Sequence, residues 1–124
     1  MFILFLGRVA LNKPLTKNMS TSWIYLILAI LFEVSGTTCM KLSEGFTKIV
    51  PSVLIFVFYG LCFTFLTFAL KKLEVSVAYS VWAGLGTILV ALIGIIWFRE
   101  SATLIKLVSI SLIIIGVIGI NASQ

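Results

Sequence analysis

Charged residues in this chain fall in short clusters, separated by long stretches that carry none. No charge occurs over residues 49–70, 75–98 or 107–124, runs of 22, 24 and 18 positions. A fourth apolar stretch, residues 22–40, holds a single charge, Glu33. A helix rising about 1.5 Å per residue needs roughly 20 apolar positions to cross a hydrocarbon core of about 30 Å. The pattern therefore predicts four transmembrane helices, at about 22–40, 50–70, 75–98 and 103–121. Strands of a membrane barrel would alternate over roughly 10 residues, and these runs are far longer. The fold class expected is an all-α membrane protein.

The links between the runs are short: residues 41–48, 71–74 and 99–102. Links of this length hold successive helices antiparallel in one bundle. Pro51 suits the first turn of the second helix, where its missing N–H is not needed. Residues 1–18 read as a dispensable extension, because their apolar residues precede Arg8, Lys13 and Lys17, the reverse of a signal peptide. The four-helix transmembrane domain is thus expected over 19–124. One side of the membrane would collect Lys41, Lys48, Arg99 and Lys106, the other Lys71 and Lys72. Counting Arg8, Lys13 and Lys17 turns four against two into four against five. That balance sets no orientation by the positive-inside rule, so insertion both ways round is open.

Composition agrees with a lipid environment. The chain is 61% hydrophobic and 10% charged, with mean hydropathy +1.25. A chain of 124 residues cannot hide that much apolar side chain from water. There is no His and no Asp, so the usual metal constellations and His-based triads are excluded. A membrane enzyme would need more buried polar groups than one carboxyl, so no catalytic residues and no metal are expected. The net charge of +5 lies between greasy segments, which points to anionic lipid headgroups rather than nucleic acid. Glu44, Glu74 and Glu100 stand beside Lys or Arg in the links and read as weak exposed ion pairs. Cys39 and Cys62 read as small apolar fillers.

Glu33 is the costly residue. A carboxylate deep in the bilayer costs about 2.5–3.5 kcal/mol on insertion scales, and no basic residue lies within any apolar run to pair with it. A purely structural hydrogen bond between helices would be served by Gln. Loss from water disfavours the ionised form, so such a carboxyl can exchange a proton for a cation and back. At helical spacing Ala29, Glu33, Gly36, Thr37 and Met40 share a face whose residues near the carboxyl are small. That face fits either a bound guest or close helix packing. Tyr79, Trp82, Ala83 and Gly86 share a face of the third helix, and Tyr59 and Phe63 lie one turn apart on the second. Aromatic faces beside a carboxylate attract organic cations. Gly84 and Gly86 serve equally as a hinge or as a packing site. Ser109, Leu112 and Gly116 mark a contact surface on the fourth helix. Four short helices cannot enclose a cavity and also shield it from lipid, so self-association is expected, with two Glu33 side chains sharing one cavity.

The segment 32–47, FEVSGTTCMKLSEGFT, with Pro51-Ser52, resembles the small multidrug resistance transporters, as does AYSVWAGLG at 78–86. Tyr59, Gly116 and Asn121 add to the resemblance, which runs from about Met19 to the end. It implies a four-helix proton-coupled antiporter of the bacterial inner membrane, working as a dimer, often antiparallel. It implies small organic cations and protons as partners, and the proton-motive force with no cofactor. By the same resemblance Glu33 is the carboxylate that proton and substrate share. Trp82, Tyr79 and Tyr59 are its aromatic site, with Ala29, Gly36, Thr37 and Phe63 around it. Gly84 and Gly86 match the kink, and Ser109, Leu112 and Gly116 the dimer surface, although Ser109 stands where glycine is usual. Thr64 replaces a tryptophan of some multidrug members. The Glu-Val-x-Gly-Thr run at 33–37 resembles the quaternary-ammonium branch, whereas Glu100-Ser101-Ala102 resembles the guanidinium exporters. Export of hydrophobic cations is the reading favoured. Guanidinium export, a hetero-paired transporter and a non-transporting accessory subunit are its rivals.

Overall fold

The computed structural model describes residues 18–123, so the extension expected over 1–18 lies, apart from Asn18, outside the described residues. Four helices follow one another: α1 (Asn18–Leu42), α2 (Ile49–Ala69), α3 (Val75–Ile96) and α4 (Leu104–Ala122). Each contains a span long and apolar enough to cross a membrane, from the 19 residues of α4 to the 23 at Ser20–Leu42 of α1. No strand occurs among the described residues.

Many hydroxyls along these helices bond within their own helix, as suits a lipid environment. Ser35, Thr38, Thr64, Thr67, Thr87 and Ser111 each donate to the carbonyl four residues earlier, at 2.7–3.0 Å. Pro51 occupies the first turn of α2 as expected. The α1–α2 link turns through left-handed backbone at Glu44, Gly45 and Phe46, pinned by buried Ser43, whose Oγ accepts from Phe46 N–H at 3.2 Å.

The boundaries fall within two residues of the expected ones except at the start of α1. α1 starts about one turn earlier, at Asn18. α3 stops at Ile96 because the backbone turns at Arg99 (φ 56°) and the Glu100 N–H bonds back to the Gly94 carbonyl at 2.9 Å.

α1 packs most extensively on α2 and also on α3, while α4 rests on α3. The core joins Leu26, Ile30 and Val34 of α1 to Ala78 and Val81 of α3, with Ala69 and Leu73 closing one end. α4 has no buried residue. Its seat on α3 is Gly84, where a Cβ would lie 2.6 Å from Val117 Cγ2 and 3.5 Å from Ile113 Cγ2. Val117 is short and branched and cannot swing clear, so Gly84→Ala should push α4 outward. Overpacking of this kind costs about 1–3 kcal/mol. A lowered unfolding midpoint in detergent, recovered in Gly84→Ala/Val117→Ala, is the expected result. No loss in the single variant would mean that α4 does not seat on Gly84.

Candidate functional site

Glu33 is the sixteenth residue of α1, nine residues and about 13 Å from its Leu42 end. It faces α3, with its carboxyl over Gly86. Its Oε1 accepts from the Thr37 hydroxyl at 3.2 Å, one turn on. Thr37 Oγ1 is in turn 2.6 Å from the Tyr59 hydroxyl on α2. Thr37 has one proton to give, so while it donates to Glu33 the Tyr59 O–H donates to Thr37. The result is a three-member chain, Tyr59 to Thr37 to Glu33, across the α1–α2 interface.

The second carboxyl oxygen, Oε2, is buried and has no hydrogen-bond partner among the described residues. It lies over Gly86 of α3, where a Cβ would come within 2.8 Å of it. A larger residue there would displace the carboxyl. The indole N–H of Trp82, one turn earlier on α3, is also buried without a hydrogen bond. The Cys62 thiol lies beside the indole. Unpaired buried polar groups are costly in a folded protein, and here two lie beside one cleft.

That cleft has a volume of about 570 Å³, within the range of small-molecule sites. Glu33 and Thr37 of α1 form one wall, and Trp82, Ala83, Gly86, Thr87 and Val90 of α3 form the floor. Lys106, Ser109, Ile110 and Ile113 of α4 make the opposite side, and Glu100 of the α3–α4 link closes one end.

The aromatic residues singled out in the sequence form a continuous line. Ring centroids are 6.0 Å apart for Tyr59 and Phe63, 6.5 Å for Phe63 and Trp82, and 5.4 Å for Trp82 and Tyr79. Within one copy only Trp82 borders the cleft, while Tyr79 and Phe63 are more than half exposed. Ala29 is fully buried inside the bundle. Gly36 lies under Tyr59, whose ring would be 2.7 Å from a Cβ there. Gly36 therefore brings α2 close to α1, and neither small residue lines the cleft. α3 runs unbroken through Gly84 and Gly86, and each glycine admits a close neighbour: Val117 at the first, the Glu33 carboxyl at the second. Ser109 borders the cleft, Leu112 is 63% exposed, and a Cβ at Gly116 would meet nothing within 4 Å. All three lie on the one helix without a buried residue.

Three participants escape the sequence reading: Glu100, Lys106 and Gly94. Of the link carboxylates expected to pair with nearby bases, Glu44 does so, with Lys48 at 3.5 Å. Glu74 and Glu100 form no ion pair among the described residues. Glu100 instead folds back so that its carboxylate lies against Gly94 of α3. The available signal was the spacing of Gly86, Val90 and Gly94, a stripe at four-residue intervals with glycine at both ends.

Comparison with known proteins places these features in context. The family model described as "Small Multidrug Resistance protein" matches residues 21–113. An uncharacterized membrane protein, YvaE of Bacillus subtilis (strain 168), is 52% identical over 81% of this chain and 84% of its own. The quaternary ammonium compound-resistance protein QacC of Staphylococcus aureus is 46% identical over 80% of this chain and 92% of its own. The multidrug resistance protein EbrB of Bacillus subtilis (strain 168) is 44% identical over 82% and 86% respectively.

Proposed function

The chain belongs to the small multidrug resistance family of multi-pass membrane transporters, and from that premise we propose that it is a proton-coupled antiporter exporting hydrophobic and quaternary ammonium cations. The observation that carries this reading is the free Oε2 of Glu33, buried in the bundle beside the cleft and within one helical turn of the Trp82 indole. A cation entering the cleft meets a carboxylate on one side and a ring face on the other, the pair of attractions an organic cation needs. A proton neutralises the same carboxylate. Cation and proton therefore exclude each other, and each drives the other off without a separate coupling device.

The resistance names of QacC and EbrB support the substrate class. The exposed α4 face around Leu112 and Gly116 supports assembly with a second copy, which would close the open side of the cleft and bring a second Glu33 to it. Both carboxyls would then titrate as a coupled pair. The protein's work is transport and no chemical conversion is assigned to it.

Proton flux from liposomes holding the purified protein tests the reading. An imposed gradient of a quaternary ammonium should drive it and guanidinium should not. Flux with guanidinium alone would move the protein to the other branch of the family. Silence with both, in correctly inserted protein, would favour an obligate hetero-pair or an accessory subunit.

A further inference from the structure

Two glycines on one stripe of α3 each lie beneath a carboxylate. Gly86 lies under Glu33, and Gly94, eight residues on, lies under Glu100. Eight residues of helix span about 12 Å, so Glu33 and Glu100, which both border the main cleft floored by Gly86 and Val90, lie well apart along it. Glu100 is held there by its own backbone, since its N–H bonds to the Gly94 carbonyl at 2.9 Å. Its position also separates the main cleft from a smaller crevice of about 170 Å³ bordered by Lys41. Lys106 borders the main cleft, yet neither lysine reaches within ion-pair distance of Glu100. Lys106 sits in the first turn of α4, where a cation opposes the helix dipole, so local helix stability does not account for it.

We propose that Glu100 is an outer cation-binding station, at which an organic cation is held at the mouth of the cleft before it passes over Val90 and Gly86 to Glu33, and that Lys106 sets the field at that mouth. This inference rests on the transport reading given above. Glu100 is exposed to solvent, so its attraction acts mainly on the rate of capture and is screened by salt. Lys106 acts with the opposite sign on the same rate. Passage inward trades the partly hydrated outer carboxylate for the desolvated inner one and the Trp82 ring.

The test is stopped-flow association of tetraphenylphosphonium with the full chain in detergent, at low and high ionic strength. Glu100→Gln should slow association about tenfold at low salt and Lys106→Gln should speed it by a similar factor. Both should converge on the parent near 1 M salt, where the screening length is about 3 Å. Glu100→Asp should restore most of the rate. A misfolded variant cannot produce the acceleration expected of Lys106→Gln, which keeps the test decisive. Unchanged rates in both Gln variants, with binding lost in Glu33→Gln, would overturn the outer station alone. Binding undiminished in Glu33→Gln would overturn the transport reading beneath it.

Discussion

Glu33→Gln is expected to abolish proton release on cation binding and to weaken the binding of quaternary ammonium cations by about two to three orders of magnitude. The substitution is nearly isosteric, and the Gln carbonyl can still accept the Thr37 hydroxyl that Oε1 accepts at 3.2 Å. The helix contact therefore stays and only the charge goes. Removing one partner of a desolvated charge pair costs about 2–5 kcal/mol, which sets the expected loss. Glu33→Asp keeps the charge but withdraws it by one methylene from Gly86 and Thr37, so coupling should persist with a displaced pH profile. In the parent protein the apparent dissociation constant for the cation should rise as pH falls, because protons occupy the same oxygens. In Glu33→Gln the residual binding should be flat with pH. Isothermal titration in two buffers of different ionisation enthalpy reads both the affinity and the protons released. A silent Glu33→Gln would leave Glu33 as a hydrogen-bonding tie between helices, the accessory-subunit reading.

The four helices could be read from the sequence because lipid forces a simple code. Uncharged runs of about 20 residues have one stable solution, and the apolar helical spans at Ser20–Leu42, Ile49–Ala69, Val75–Ile96 and Leu104–Ala122 match the expected elements. Glu33 was legible for the same reason, since one charge in an apolar run must be explained. What Gly36 and Ala29 do was harder to read. Small residues on the Glu33 face fit a guest or a neighbouring helix equally well, and only the approach of Tyr59 to Gly36 distinguishes them. Glu100 illustrates a different limit. Its charge cluster, Arg99-Glu100, reads as a solvated link, and its path back to Gly94 depends on a left-handed turn at Arg99, a residue type with no preference for that backbone. No local pattern announces such a turn. The Tyr59–Thr37–Glu33 chain likewise joins residues 22 and four positions apart, a relation set by how α2 lies across α1.

Trp82→Ala is expected to separate cations by their chemistry. Trp82 is the one ring of the aromatic line that borders the cleft within a copy, and its indole stands one turn from the Gly86 that carries the Glu33 carboxyl. A desolvated cation–π contact is worth about 2 kcal/mol, so tetraphenylphosphonium, which also stacks, should lose about thirtyfold or more in affinity. A small tetramethylammonium ion, held mainly by charge, should lose far less. Removing the indole also removes the neighbour of Cys62 and opens a cavity between α2 and α3, so a general loss of stability has to be told apart from a loss of recognition. Trp82→Phe makes that distinction, since it keeps a ring and most of the volume while removing the unpaired N–H. If the ring face holds the cation, Phe should recover most of the affinity for the aromatic cation. If the N–H is what matters, through an acceptor on the ligand, Phe should behave like Ala. Equal losses for the two cations in Trp82→Ala, unrecovered by Phe, would remove Trp82 from the binding site and leave Glu33 to act with charge alone.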